Sequence, residues 1–383
     1  MTDIVIKEVE HGFAGDVDAI SSKIINFNKT DYDNPTLFTG EQAGLFNTLS
    51  RPHTEIERLF KKLKAQDWDE KEFPADSCKA EFAENPRSLT NPMIRTLAWQ
   101  WETDTIAARV MGLFAALAAT YDPLVEIYTR IADNENLHAR TYSEIVRLSF
   151  EDPQAVLQDI LEIRESKQRL ATVGKVFTET LEILIEVRQG RAVRDKVYYK
   201  AIYKFLATMY VMERLQFTGS FAVTFTYGEN SMFMPIAAAV KKICQDELEI
   251  HAVLGKYLVK ACLNEPEMLE AKLLCQDEVK QIVDEVVDNE LYWIDYFLEG
   301  MDDLFGNTRE DYRGCILFNA AVVYADLEVQ TDREFPKENP LTFMTKWLVQ
   351  DNFQAAPQEE KNGNYVFGYL IRDDKQYFSD IEI

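Results

Sequence analysis

Between Pro153 and Pro235 the chain contains no proline, and its apolar residues recur there at helical spacing. An interior proline removes a backbone hydrogen bond and clashes with the preceding turn, so a long proline-free stretch permits long helices. Gly174 and Gly190 are the expected breaks inside it, and residues 193–227 read as one continuous helix. The flanks repeat the texture. Asn91-Pro92 opens an apolar helical run that lasts to Asp122-Pro123. A second runs from Pro123 to about Phe150, and a third follows Asp152-Pro153. Residues 235–263 form another, ending at Asn264-Glu265-Pro266, and 267–300 continue the pattern to Gly300. Residues 52–66 place Ile56, Leu59, Phe60 and Leu63 on one helical face. The expectation is an all-α protein built as a long-helix bundle. No βαβ alternation, P-loop, GxGxxG, GxSxG or HExxH is present, so nucleotide-binding and hydrolase folds have no support.

The ends differ in character. Residues 1–50, punctuated by Pro35 and Gly40, read as an extended arm, 51–345 as the helical domain, and 346–383 as a flexible tail too polar to fold alone. With 41 Lys+Arg against 65 Asp+Glu, the net charge of −24 argues against nucleic acid or an anionic membrane surface as partner. No apolar run is long enough to span a membrane, and no secretory signal is visible. Five cysteines, an odd number without a CxxC pair, indicate a reduced cytoplasmic protein rather than a disulfide or zinc-thiolate framework.

Chemistry concentrates at two histidines. Glu135 and His138 are three apart on a predicted helix, and Glu247 and His251 are four apart on another. Either spacing puts carboxylate and imidazole on one face. Each pair is preceded by a carboxylate in an otherwise apolar helix: Asp104 lies 31 residues before Glu135, and Glu213 lies 34 before Glu247. A single ExxH is usually a solvated face and a single helical Glu an edge residue. The same order occurring twice points instead to four helices contributing four carboxylates and two histidines, the ligand set of di-iron and dimanganese carboxylate bundles of ferritin-like fold. Oxygen-rich ligands with one imidazole per metal suit iron or manganese better than zinc or copper.

These motifs resemble the small, radical-generating subunit of class I ribonucleotide reductase, from about residue 35 to the C-terminus. The family's Glu-x-x-His-x-x-x-Tyr matches Glu135, His138 and Tyr142, so the resemblance implies that Tyr142 carries a stable radical. The family's Glu-x-x-x-Phe-x-x-x-Phe matches Glu213, Phe217 and Phe221, which with Ile243 would line an apolar pocket shielding that radical. By the same resemblance Trp68 and Asp246 are electron-transfer partners. The stretch ENPLTFMTKWLVQDNFQAAPQEEKNGNY resembles the family's approach to its tail, which puts Glu359 and the redox tyrosine Tyr365 there. One departure stands out. The family's second pair is Glu-x-x-His, whereas Glu247 and His251 carry one extra residue between them. Either the four-residue spacing itself or a one-residue helical bulge absorbs this. Glu249 is the alternative fourth carboxylate.

The resemblance implies a ferritin-like bundle extended by further helices. It also implies a function: two iron ions, or two manganese ions in the alternative, drive oxidation of Tyr142. The oxidising equivalent then passes through Trp68 and Tyr365 to a separate large catalytic subunit that reduces ribonucleotides. A homodimer is implied as well. A ferritin-like oxidase or oxygenase acting on a small substrate is the other enzymatic reading, and a non-catalytic helical scaffold is the third.

Overall fold

A computed structural model describes residues 25–348. Its helices are α1 (Thr54–Ala65), α2 (Cys78–Glu84), α3 (Arg87–Ala118), α4 (Asp122–Ser149), α5 (Pro153–Glu162), α6 (Arg164–Arg188), α7 (Lys196–Val211), α8 (Phe217–Glu229), α9 (Met234–Asp246), α10 (Ala252–Ala261), α11 (Pro266–Leu274), α12 (Gln276–Phe297), α13 (Arg309–Leu327) and the short α14 (Met344–Leu348). Among the described residues the extended pairing is one hairpin, β1 (Asp303–Leu304) with β2 (Asn307–Thr308). The all-α, ferritin-like expectation holds. No described helix is long and apolar enough to cross a membrane.

Several boundaries differ from the sequence reading. Helix α3 starts at Arg87, with Pro86 as its N-cap, and carries Pro92 inside it. Pro92, the sixth helical residue, lies past the donors that lack partners in any helix, so it forfeits one hydrogen bond, to the Ser88 carbonyl, in a helix of 32 residues. Gly174 lies within α6. The break instead falls at Ile163, whose extended backbone turns the chain between α5 and α6. Gly190 does end a helix, at φ +76°. The 267–300 run divides at Cys275.

Helices α7 and α8 are joined without a break by a π turn at Met212–Gln216, and α9 and α10 by a second at Glu247–His251. Every residue of α8 from Phe217 to Gly228 is buried. A helix buried on all sides belongs at the centre of a bundle, and α3, α9 and α13 pack against α8.

Two devices hold this core together. The Glu265 carboxylate accepts the backbone N–H groups of Leu37, Phe38 and Thr39 at 2.6, 3.1 and 3.0 Å, strapping the N-terminal segment across the start of α11. Deeper in, Arg169 on α6 pairs in bidentate fashion with Glu290 on α12. The guanidinium lies 3.5 Å from the Trp99 ring centre and 4.8 Å from that of Trp293. It also donates to the backbone carbonyl of Gln216, the last residue of the first π turn.

Candidate metal centre

Asp104 on α3, Glu135 and His138 on α4, Glu213 in the first π turn, and Glu247 and His251 in the second converge in the bundle interior. All six are buried. They form two overlapping quartets, Asp104–Glu135–His138–Glu247 and Glu135–Glu213–Glu247–His251, with each quartet's ligand atoms within 4.8 Å of one another. Glu135 and Glu247 belong to both.

Both π turns lie at this site. An i→i+5 turn holds one more residue than an α turn, which lets residues four apart share a direction. The extra residue between Glu247 and His251 is absorbed in this way: His251 Nδ1 lies 2.8 Å from Glu247 Oε2. Glu249 leaves the cluster. It faces α1, where Lys62 Nζ bonds it at 2.7 Å with Gln66 nearby.

Both oxygens of Asp104, Glu135 and Glu213, with Glu247 Oε1 and His138 Nδ1, are buried without a hydrogen-bond partner. Buried carboxylates are costly unless paired or bound to metal. Here four of them, formally −4, share one cavity, and two divalent cations would balance them. The donor set therefore fits a metal pair. Burial raises Asp104 well above the carboxylate range, and Glu135 adds to the effect. Glu213 is raised by burial and by Glu247. Burial would raise Glu247 too, but His251, Glu213 and His138 outweigh it and hold Glu247 below its ordinary value. Burial lowers His251, yet Glu247 and Glu135 push it up to about 10. Asp104, Glu213 and His251 are thus shifted toward holding protons where no cation neutralises the carboxylates.

Tyr142, one helical turn beyond His138, is fully buried, and its hydroxyl has no hydrogen-bond partner. Burial, then the charges of Asp104, Glu247 and Glu135, raise it well above the phenolic range. Phe217, Phe221 and Ile243 are likewise fully buried. The Phe217 and Phe221 rings stack at 5.5 Å, and Trp99 meets Phe217 edge-on at 5.2 Å.

On the other side of His138, Trp68 is 6 % exposed. Its ring stacks on His138 at 6.0 Å, and its indole N–H donates to Asp246 Oδ2 at 2.9 Å. His138 Nε2 approaches the same oxygen at 3.2 Å. Asn134 was not singled out in the sequence, yet its Nδ2 donates to that oxygen at 3.1 Å while its Oδ1 lies 3.0 Å from His251 Nε2. Its only sequence signal is adjacency to Glu135. Glu359 and Tyr365 lie outside the described residues.

The family model for "Ribonucleotide reductase, small chain" matches residues 45–340. The chain is 24% identical over 364 residues to the ribonucleoside-diphosphate reductase 1 subunit beta of Salmonella typhimurium, covering 89% of this chain and 94% of that one. Its fold is similar to that of a ribonucleotide reductase R2 subunit from Clostridium botulinum, with TM-score 0.73 and 14% identity over 85% of this chain and 97% of that one. It is also similar to the dimanganese(II)-NrdF of Streptococcus sanguinis, with TM-score 0.60 and 14% identity over 79% and 98%.

Proposed function

The chain belongs to the ribonucleotide reductase small-chain family, and from that premise we propose that it is the radical-generating small subunit of a ribonucleoside-diphosphate reductase. The observation that carries this reading is the pair of interlocked ligand quartets with Tyr142 one helical turn beyond His138. Asp104, Glu135, His138 and Glu247 would hold one ion, and Glu213, Glu135, Glu247 and His251 the other. The donor set suits two iron ions, with dimanganese as the alternative. When bound, the metal pair supplies the oxidising equivalent that leaves Tyr142 as a radical.

The chain's own residues then have distinct tasks. The Tyr142 hydroxyl has no hydrogen-bond partner to retain its proton, and Asp104 heads the carboxylates whose charge it feels, so a proton leaving Tyr142 passes to the cluster side. Phe217, Phe221 and Ile243 exclude water and reductants. Asp246 orients His138 and Trp68 through one shared oxygen, and Trp68 carries the oxidising equivalent outward. From there it reaches Tyr365 in the tail, with Glu359 assisting, and then a cysteine of a separate large subunit that binds the nucleotide. The oxidase reading has no use for the Trp68–Asp246–His138 chain, and the family match favours the reductase. In this reading residues 1–50 form an arm, 51–345 the metal-binding domain and 346–383 the segment that docks on the large subunit. The small subunit acts as a homodimer in the cytoplasm.

Anaerobic loading with iron or manganese, exposure to oxidant, and electron paramagnetic resonance test the proposal. A tyrosyl signal present in the wild type and absent in Tyr142→Phe is expected. Two bound metals with no tyrosyl signal under either metal would overturn the radical role.

A further inference from the structure

The two quartets are alike in kind. Each has two shared glutamates, one further carboxylate and one histidine. What lies behind the two histidines is different. Both turn Nδ1 toward the carboxylates, as their distances of 3.0 Å from His138 to Glu247 and 3.1 Å from His251 to Glu135 show. Their Nε2 atoms point away. His138 Nε2 meets a carboxylate, Asp246 Oδ2 at 3.2 Å. His251 Nε2 meets a neutral amide, Asn134 Oδ1 at 3.0 Å.

The orientation of that amide follows from its other contact. Only an NH2 group can donate to the Asp246 carboxylate, so Nδ2 occupies the 3.1 Å contact and Oδ1 is left as an acceptor. The group facing Oδ1 must then be a donor, so His251 keeps a proton on Nε2. Once the ring is neutral, as a metal ligand must be, Nδ1 is the nitrogen left with a lone pair, on the carboxylate side. Asn134 is 5 % exposed, so water does not readily substitute for it. Partners that orient a ligating histidine through its second nitrogen commonly change metal affinity about 10–100-fold when removed.

We propose that Asn134 is a positioning residue for the second metal position: it fixes His251 in the Nε2–H tautomer and ties it to Asp246, the same carboxylate that orients His138 and Trp68. The inference rests on the dimetal reading above. It gives Asp246 a wider part, since one oxygen then gathers Trp68, His138 and, through Asn134, His251. Asn134 touches His251 directly and His138 only through Asp246.

The test is manganese(II) titration of the full chain, read from the loss of the free-ion paramagnetic resonance signal, so that no turnover is needed. His138→Ala leaves the His251 position as the intact one, and His251→Ala leaves the His138 position. Asn134→Leu, close in size and unable to hydrogen-bond, is expected to weaken binding about 10–100-fold in the His138→Ala background. In the His251→Ala background, where Asn134 acts only through Asp246, a much smaller effect is expected. Equal weakening in both backgrounds, or none in either, would overturn the assignment. The thermal midpoint of the metal-free variants checks folding, and Asn134→Ser, too short to reach both partners, replaces Asn134→Leu if that variant does not fold. A wild-type chain that binds fewer than two manganese ions would instead sink the dimetal reading itself.

Discussion

Glu135 and Glu247 each divide their two carboxylate oxygens between the same two histidines. Glu247 Oε1 lies 3.0 Å from His138 Nδ1 and its Oε2 2.8 Å from His251 Nδ1. Glu135 does the same from the opposite helix, at 3.5 and 3.1 Å. Two carboxylates spanning two imidazoles in this way are placed to bridge two cations. Glu247→Ala is therefore expected to reduce binding of both metals, and Glu213→Ala chiefly of one. Metal analysis after dialysis distinguishes the two losses, and full retention of both ions in Glu247→Ala would contradict a bridging role.

Tyr142→Phe removes a buried hydroxyl that has no hydrogen-bond partner. Loss of an unsatisfied polar group should leave stability unchanged or raise it by about 1 kcal/mol. Metal content should also stay the same, while nucleotide reduction with the large subunit should disappear. An active Tyr142→Phe variant would mean that oxidation bypasses this residue.

Trp68 is held by Asp246 on its indole nitrogen and by His138 on its face. Trp68→Phe keeps most of the packing but forfeits the hydrogen bond and an easily oxidised ring. The tyrosyl signal, once formed, should persist in this variant while turnover falls by at least about 100-fold, on the order of 3 kcal/mol in barrier. Unimpaired turnover would remove Trp68 from the route.

Arg169 and Glu290 form a buried ion pair between two tryptophans. Arg169→Met alone strands Glu290 and should cost about 3–5 kcal/mol, whereas Arg169→Met with Glu290→Leu should recover much of that loss. Because Arg169 also donates to the Gln216 carbonyl, the double variant should still lose some affinity at the Glu213 position. Urea unfolding and metal titration measure the two effects separately.

In the metal-free protein His251 is pushed up from 6.5 to about 10, Glu247 and Glu135 overcoming the opposing effect of burial. A raised histidine contributes stability that is complete below about pH 6.5 and is lost as pH rises toward 10. Asp104 and Glu213, raised mainly by burial, act in the same direction, because ionising them penalises the folded state. The melting temperature of the metal-free chain should therefore fall across this window. The metal-bound chain should not follow it, since metals displace those protons and bind better as pH rises. Parallel pH profiles for the two forms would argue against a shared proton and metal site.

Local spacing was enough to place side chains on a shared helical face, though not to fix every helix boundary. Three- and four-residue intervals fix which side chains share a helical face, so Glu135 with His138 and Glu247 with His251 were legible, as were Asp104 and Glu213 as carboxylates in apolar helices. The long helices were legible because proline and periodicity act within a few residues. Tertiary structure alone decided between Glu247 and Glu249, since the choice depends on a π turn and on Lys62 waiting on a different helix. It alone also revealed Asn134, whose contacts to Asp246 and His251 span 112 and 117 residues of chain, and the Arg169 clamp on the first π turn. Such contacts leave no periodic trace, because a buried hydrogen bond between distant helices is set by how the helices pack and not by the spacing along either one.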